Sequence, residues 1–424
     1  FLVQFHDVAA RELESFGLKA AARHFGVAED GRVGLGAREI TEAHASRREV
    51  FEKYALQDVR ETRALSAALS PAWFTQATIF PYNYQDVVIR GNATKINSLF
   101  LREYLRRGES VPALPEVRKF EGGYTDIFFT GVARDVWHCD IASLYPSVML
   151  AFGIFPKADS LGLFGDMLAR LRKFRLEAKA AMRAAKGAER AHLDALQGVF
   201  KILINSFYGY LGFAQGNFAD FDAAAAVTAK GREILRGMVE WLRGRGAEVI
   251  EIDTDGIYFT PPAGATRDGL YAELAATLPA GIEVDFDADF AAMFSYKAKN
   301  YALLAQDGKL SIKGAALKSR GLEKFQRLFI ERAVRALLEG NPEAIPAMHA
   351  EFAAALRERR WDPEMFTKTE ALQDSLDAYR RKIAASSRNR SAAFELALRS
   401  GREMQAGDRV TYYITGAKKS VKAY

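Results

Sequence analysis

The amino-acid sequence predicts an α+β chain of several domains. Length is the first reason: 424 residues, against roughly 150 for an ordinary domain, gives about three. The second is pattern, because long helical periodicities and short β-rich runs occupy separate stretches of the chain. The third is composition. With 49% hydrophobic and 26% charged residues, the chain can bury sizeable cores and is not intrinsically disordered.

Residues 1–70 read as mostly helical: Leu13, Phe16 and Ala20 recur at helical spacing, Gly26 is a stop, and a charged stretch follows from Arg38 to Arg63. Pro71 and Pro81 mark a boundary. Pro112 and Pro115 open an extended stretch that ends in Glu121-Gly122-Gly123-Tyr124. Val136-Trp137-His138-Cys139-Asp140 then reads as a buried strand ending at a carboxylate. The pattern is helical from Asp166 to about Leu196, with one interruption at Gly187, and a second helix runs to about Tyr208. Another spans about Ala223 to Arg243 and stops at Gly244 and Gly246. Glu248 to Phe259 is two β-rich runs flanking Asp253-Thr254-Asp255-Gly256, which is hairpin chemistry. After Lys313 the chain is helical again, then basic from Arg380 to Arg402, and it closes on the β-rich Arg409 to Ile414. There is no internal repeat and no low-complexity tail.

Several classes are excluded. One cysteine, Cys139, rules out a disulfide framework, and no paired Cys/His spacing suggests structural zinc. The longest near-apolar run, Val148 to Phe155, is far short of the ~20 residues that span a bilayer. No basic segment leads into a long apolar one near the start, so no secretory signal is expected and a cytoplasmic location is. Fifty-nine Lys and Arg against 53 Asp and Glu leave +6, which permits a nucleic-acid partner without requiring one. A first residue of Phe1 instead of Met suggests a fragment or a processed chain.

Asp140 ends one strand, and Asp253 and Asp255 sit at the tip of a hairpin. If those strands are neighbours in one sheet, three carboxylates converge at its edge. Carboxylate oxygens are the hard ligands Mg²⁺ prefers, and two such ions suit an in-line phosphoryl displacement. One would acidify a sugar hydroxyl and the other would steady the leaving pyrophosphate. An Asp-Thr-Asp-Gly turn by itself is ordinary turn chemistry, and most such turns bind nothing.

The flanking residues change that balance. Asp140-Ile141-Ala142-Ser143-Leu144-Tyr145-Pro146-Ser147 resembles the first palm motif of family B DNA polymerases. Lys201-Ile202-Leu203-Ile204-Asn205-Ser206-Phe207-Tyr208-Gly209 resembles their fingers motif, and Asp253-Thr254-Asp255 their second palm motif. The three stand in the family's order, and the resemblance extends over nearly the whole chain. It implies an antiparallel palm sheet with helices, helical-hairpin fingers and a partial thumb. A C-terminal remnant of a ribonuclease H-like 3′–5′ exonuclease domain would precede them. The implied domains are an exonuclease remnant at 1–70, linker and first part of the palm at 71–160, and fingers at 161–212. The second part of the palm would occupy 213–320 and an incomplete thumb 321–424.

By that resemblance Asp140 and Asp255 are metal-bridging carboxylates, Asp253 supports catalysis, and the backbone carbonyl of Ile141 is a further ligand. The implied cofactor is a pair of Mg²⁺ ions, with Mn²⁺ as a substitute. The family often has Tyr two residues before the hairpin's first Asp and Ser after its second, where this chain has Glu251 and Gly256. Tyr145 resembles the steric gate that excludes a 2′-hydroxyl, with Ser143 and Leu144 beside it at the nucleotide. Lys201 and Asn205 are four apart on a helix and share a face; Arg175 and Lys179 repeat that spacing on the preceding helix. Two antiparallel helices would then aim these groups at one triphosphate. Tyr208 and Gly209 would form the face against which the nascent base pair stacks. Arg170, Arg172, Lys173, Arg183 and Lys186 read as a solvated helix face.

On the DNA side, Lys297-Ala298-Lys299-Asn300-Tyr301 resembles the primer-gripping Lys-Lys-x-Tyr tetrad, with its first Lys replaced by Ala298. Lys299 and Tyr301 would contact the primer end. Lys313-Gly314, Lys318 and Arg320 resemble the segment from palm to thumb, whose phosphate contacts position without reading sequence. Gly122, Gly123 and Tyr124 resemble the linker between exonuclease and polymerase modules, which meets the template strand. Phe366 to Tyr379, Ala392 to Ala397, Gly401, Gly407 to Val410 and Tyr412 resemble the thumb. Arg380, Arg381, Lys382, Arg388 and Arg390 would follow duplex phosphates there, making binding salt-dependent.

Tyr54-Ala55-Leu56-Gln57-Asp58 resembles the third exonuclease motif, with Tyr54 orienting water and Asp58 holding metal. Before Tyr54 the aspartates are Asp7 and Asp30, and neither begins the Asp-x-Glu such a nuclease needs. Two-metal hydrolysis cannot be assembled from one ligand, so no exonuclease activity is expected of these residues. Gly31, Gly34 and Gly36 lack the strand and helix context of a phosphate loop.

The expected activity is therefore template-directed DNA polymerisation (EC 2.7.7.7), on primer–template DNA and dNTPs. The protein would act as a monomer, nucleoid-associated in a prokaryote, with no membrane partner and no sliding clamp assigned. The alternative is a silent DNA-binding module that keeps the fold without the chemistry.

Overall fold

The structure is a computed structural model that describes residues 16–314, 316–317, 322–387, 389–401, 404–415 and 420–423. The chain forms two compact units, each discontinuous in sequence: Phe1–Gly123, Ala142–Glu233 and Pro279–Ile282 make one, and Tyr124–Ile141, Ile234–Leu278 and Glu283–Tyr424 the other. Among the described residues no helix is long and apolar enough to cross a membrane.

The first unit is helical. It contains α1 (Leu18–His24), α2 (Ala37–Ser46), α3 (Arg48–Ile79), α4 (Tyr84–Ile89), α5 (Asn92–Arg107), α6 (Leu144–Phe152), α7 (Leu163–Ala184), α8 (Gly187–Leu211) and the start of α9 (Phe221–Gly244). Pro71 does not mark a boundary; it lies inside the 32-residue α3. The buried stripe Gln57, Glu61, Leu65, Leu69, Ala72, Trp73 and Gln76 runs past it at helical spacing. That continuous burial carries the helix through the hydrogen bond the proline removes. The break comes after Phe80, where the Asn83 side chain accepts the Asp86 amide and caps α4.

Helices α7 and α8 form a hairpin, and its turn is earlier than the periodicity suggests. The chain reverses at Ala185–Lys186, and Gly187, at φ +57°, opens the second helix instead of interrupting the first. Phe174 meets Phe200 with ring centroids 4.9 Å apart, and Phe164 meets Phe207 at 5.2 Å. Phe100 on α5 stacks on Tyr210 at 5.6 Å, tying the hairpin to the helices before it.

The second unit is built on a seven-stranded antiparallel sheet in the order β1-β3-β4-β2-β5-β6-β7. Its strands are β1 (Thr125–Ile127), β2 (Gly131–Ile141), β3 (Glu248–Asp253), β4 (Gly256–Thr260), β5 (Val284–Lys297), β6 (Asn300–Ala305) and β7 (Leu310–Lys313). The predicted strand at Val136–Asp140 is the end of β2, and the predicted hairpin is β3–β4. The sheet curls strongly: the hydroxyls of Tyr258 on β4 and Tyr301 on β6 are 3.3 Å apart although two strands separate them. Val136, Ile250, Tyr258, Met293, Tyr301 and Leu303 fill the curl. Beyond α10 (Arg267–Ala275), α11 (Lys324–Glu339) packs Val334 and Leu338 on Ala292, Ala302 and Leu304.

The remainder of this unit has α12 (Ala344–Arg357), α13 (Leu376–Ala384), α14 (Ala392–Ser400) and a three-stranded sheet in the order β10-β9-β8. Those strands are Thr367–Ala371 (β8), Arg409–Thr415 (β9) and Ser420–Ala423 (β10). Tyr379 and Phe394 stack at 4.4 Å in the core beneath them.

Candidate active site

Register brings Asp140 and the hairpin tip together. Asp140 at the end of β2 pairs with Gly256 on β4, and the Ile141 amide donates to the carbonyl of Asp255 at 3.0 Å. The tip is a tight turn. The Asp255 amide donates back to the Asp253 carbonyl at 2.9 Å, leaving Thr254 at φ +73°. This is γ-turn geometry, and a β-branched residue there is strained. Two bonds hold it: the Thr254 amide donates to the Tyr124 carbonyl at 3.2 Å, and Lys299 Nζ donates to Thr254 Oγ1 at 2.7 Å.

Gly256 is required by its neighbour across the sheet. A methyl there would stand 2.3 Å from Nε2 of His138. The His138 ring stacks on Tyr258 at 4.3 Å, and its Nδ1 lies 2.6 Å from Asp287 Oδ1. Cross-strand register alone couples these residues, so sequence reading missed His138 and Asp287.

The three expected carboxylates do not converge as a set. Asp253 turns to the β5–β6 hairpin, where it accepts from Lys299 Nζ at 2.6 Å and from the Tyr301 hydroxyl at 2.9 Å. Burial, then the neighbouring Tyr258 and Asp253, push the Tyr301 phenol well above its usual range. Among the described residues no three His, Cys, Asp or Glu side chains gather as a metal cluster. What remains is a donor set of Asp140, Asp255 and the Ile141 carbonyl. All are hard oxygens at adjoining strand ends, and Asp140 Oδ1 is sealed from solvent. That chemistry fits Mg²⁺.

In the helical unit, Ser143 sits at φ +52° as the residue before α6, and Ser147 Oγ donates to the Ala142 carbonyl at 2.8 Å. Leu144 is buried, so its side chain is spent on packing. The Tyr145 ring lies on that of Tyr208, centroids 4.3 Å apart. Gly231 on α9 is flush with both residues: a methyl would be 3.4 Å from Tyr145 and 3.5 Å from Leu144. Lys201 and Asn205 are exposed one turn apart on α8, and Lys179 is half-buried on α7. Arg175, on α7, is half-buried with Nε sealed and no partner among the described residues. Burial, with Arg172 nearby, pulls its guanidinium below the usual range.

Glu121-Gly122-Gly123-Tyr124 is strapped to α9 by residues that sequence reading missed. Thr228 Oγ1 donates to the Glu121 carbonyl at 2.8 Å, and Arg232 Nη1 to the Gly122 carbonyl at 2.6 Å. Arg236 lies over the Tyr124 ring at 5.1 Å. The spacing 228, 232, 236 was visible as one helix face but resembles ordinary surface.

Lys313 is exposed at the end of β7, while Lys318 and Arg320 lie outside the described residues, as does Arg388. Of the other basic residues expected on DNA, Arg380 pairs with Asp377 at 3.4 Å and Lys382 with Asp374 at 2.8 Å.

Tyr54 and Asp58 stand one turn apart on α3, as expected, but Asp58 carries a salt bridge to Arg32 at 2.5 Å. Arg32 also grips Glu61, which is fully buried, at 2.6 Å. Gln57 accepts the Val33 amide at 2.9 Å. The Gly31–Gly36 loop thus presents a cation to α3, and Tyr54 lies under Lys19 at 5.0 Å.

Residues 154–424 match the model of DNA polymerase family B. A DNA polymerase from Archaeoglobus fulgidus is 31% identical over 320 residues, covering 68% of this chain and 40% of the relative. One from Pyrococcus glycovorans is 27% identical over 385 residues, covering 81% and 50%. The chain therefore spans about half the length of the curated relatives it matches. The solved family B DNA polymerase of Pyrobaculum calidifontis superimposes with a TM-score of 0.68 at 23% identity, over 97% of this chain and 58% of that one. With carboxylates at adjoining strand ends of an antiparallel sheet, a helical hairpin carrying cations, and this match over most of its length, the chain belongs to DNA polymerase family B.

Proposed function

We propose that this chain adds deoxynucleotides to a primer 3′ end, directed by a template strand, with release of pyrophosphate. The observation that carries the reading is the pairing of Asp140 with Gly256 and the bond from Ile141 to Asp255, which supports two carboxylates acting at one edge of the sheet. Asp140, Asp255 and the Ile141 carbonyl would hold the divalent ions, Mg²⁺ or Mn²⁺, which when bound supply charge neutralisation and an acidified primer hydroxyl. Asp253 acts through Lys299 and Tyr301 and not as a ligand.

The remaining work is positioning. Tyr145, backed by Tyr208 and Gly231, presents a ring that excludes a 2′-hydroxyl. Lys201, Asn205, Arg175 and Lys179 offset triphosphate charge as it shifts toward pyrophosphate; the half-buried Arg175, its Nε unpaired among the described residues, can turn its guanidinium to a phosphate. Ser143 and Leu144 serve through their backbone. Gly122, Gly123, Tyr124, Lys299 and Lys313 lie along the DNA, whereas Tyr301, expected at the primer end, is buried in the curl and braces Asp253 from within. Tyr54 and Asp58 alone do not supply the carboxylates that two-metal proofreading needs, and the salt bridge from Arg32 to Asp58 supports that reading.

Primer extension with dNTPs and Mg²⁺ tests the proposal. The wild-type chain should extend the primer, and both chelator and Asp255→Ala should abolish extension. A chain that shifts primer–template DNA in a gel but extends nothing would be a silent binder, and the proposal would fail.

A further inference from the structure

Glu251 is fully buried, as is Ser295. A buried carboxylate is expensive unless its oxygens are satisfied, and here each has a donor on the β5–β6 hairpin. Oε1 accepts the Lys299 backbone amide at 2.6 Å, and Oε2 accepts Ser295 Oγ at 3.0 Å. The hairpin turn is Ala298–Lys299, closed by the pair Lys297–Asn300, and Lys299 is in the left-handed region at φ +62°. That conformation is costly for a residue with a Cβ, and the Glu251 bond to its amide is placed to sustain it. Gly314 confines the same turn from another side: a methyl there would stand 2.1 Å from the Lys299 carbonyl. The turn so held aims Lys299 Nζ at Asp253 and at Thr254, the strained centre of the catalytic hairpin.

We propose that Glu251 is a positioning residue: it latches the β5–β6 turn so that Lys299 braces Asp253 and Thr254 and is presented in one geometry to the primer end. The primer part rests on the polymerase reading above; the latch itself does not. Glutamine can replace both contacts, its Oε1 accepting from Lys299 and its Nε2 donating to the Ser295 hydroxyl. Alanine can replace neither.

The test compares wild type, Glu251→Ala and Glu251→Gln, each checked for a cooperative thermal transition. In acetic anhydride footprinting of the free protein, Lys299 labelling should rise severalfold in Glu251→Ala and stay near wild type in Glu251→Gln. Exposed Lys297 serves as the internal control and should not change. In primer extension, Glu251→Ala should raise the apparent KM for primer–template about tenfold without raising that for dNTP, and Glu251→Gln should restore it. Unchanged Lys299 labelling in Glu251→Ala overturns the latch. Raised labelling with an unchanged primer KM overturns the role at the primer. If wild type extends no primer, the polymerase reading fails, and the labelling arm still decides whether Glu251 holds Lys299.

Discussion

The amide of Ile141 donates to the carbonyl of Asp255 at 3.0 Å, tying the residue that follows one carboxylate to the backbone of the other. Because the bond is main chain to main chain, it does not depend on the carboxylate of Asp140 or Asp255. Substitution of Asp140 or Asp255 should therefore remove the carboxylate oxygens proposed to hold metal while leaving the strand ends in place, which makes the pair a clean target for mutation.

Gly256→Ala places a methyl in the space of the His138 ring. The His138 ring is held by Tyr258 and Asp287, so the substitution should cost about 1–3 kcal/mol of stability and lower extension. Adding His138→Ala should recover most of the loss. A double-mutant cycle by thermal unfolding checks this; additive effects would mean that the two side chains are independent.

Tyr145→Ala should admit ribonucleotides. It also leaves Tyr208 without its ring partner, so the affinity for dNTP should fall somewhat as discrimination drops by at least about tenfold. Single-nucleotide incorporation with matched dNTP and rNTP reads both effects, and unchanged discrimination would remove Tyr145 from the sugar pocket.

Lys201→Ala should raise the apparent KM for dNTP and slow the chemical step, together lowering kcat/KM by about tenfold or more. The apparent KM for primer–template should be unaffected. Single-turnover kinetics separates the two; wild-type parameters would assign Lys201 to solvent.

Lys95 gives a pH signature remote from catalysis. It is 1% exposed, donates to Gln76 at 3.0 Å, lies over the Trp73 ring at 4.8 Å, and burial pulls its pKa down to about 8. Between that value and the unfolded value of about 10.4, the unfolded chain binds a proton the folded chain does not, so stability rises with pH across this window. The Lys95 contribution should be at most about 3 kcal/mol. Denaturant unfolding from pH 7 to 10.5 should show that rise in wild type relative to Lys95→Met. Parallel curves would mean that the ammonium is not desolvated.

The site was legible in sequence where chemistry is local. A strand ending at Asp140, a turn built from Asp253 to Gly256, and cations at helical spacing are all statements about neighbours within a few residues. What escaped depends on the curl and register of the sheet. Sequence neighbours give Asp253 a supporting catalytic place but no partner; only the approach of β6 to the hairpin tip gives it to Lys299 and Tyr301. His138 and Gly256 are coupled across strands 118 residues apart in the sequence, and no pattern in either segment reveals the other. Helix boundaries failed for a related reason. Burial carried α3 through Pro71, and the α7–α8 turn fell at Ala185–Lys186, so that the second helix begins at Gly187 and not near Leu196.

The most direct measurement is single-turnover incorporation of one dNTP with Mg²⁺ by wild type, Asp140→Asn and Asp255→Asn. Each variant should fold, bind primer–template with wild-type affinity and lose at least about 10³-fold in rate. A wild-type rate from either variant would contradict the claim that these two carboxylates together hold the ions that carry the reaction.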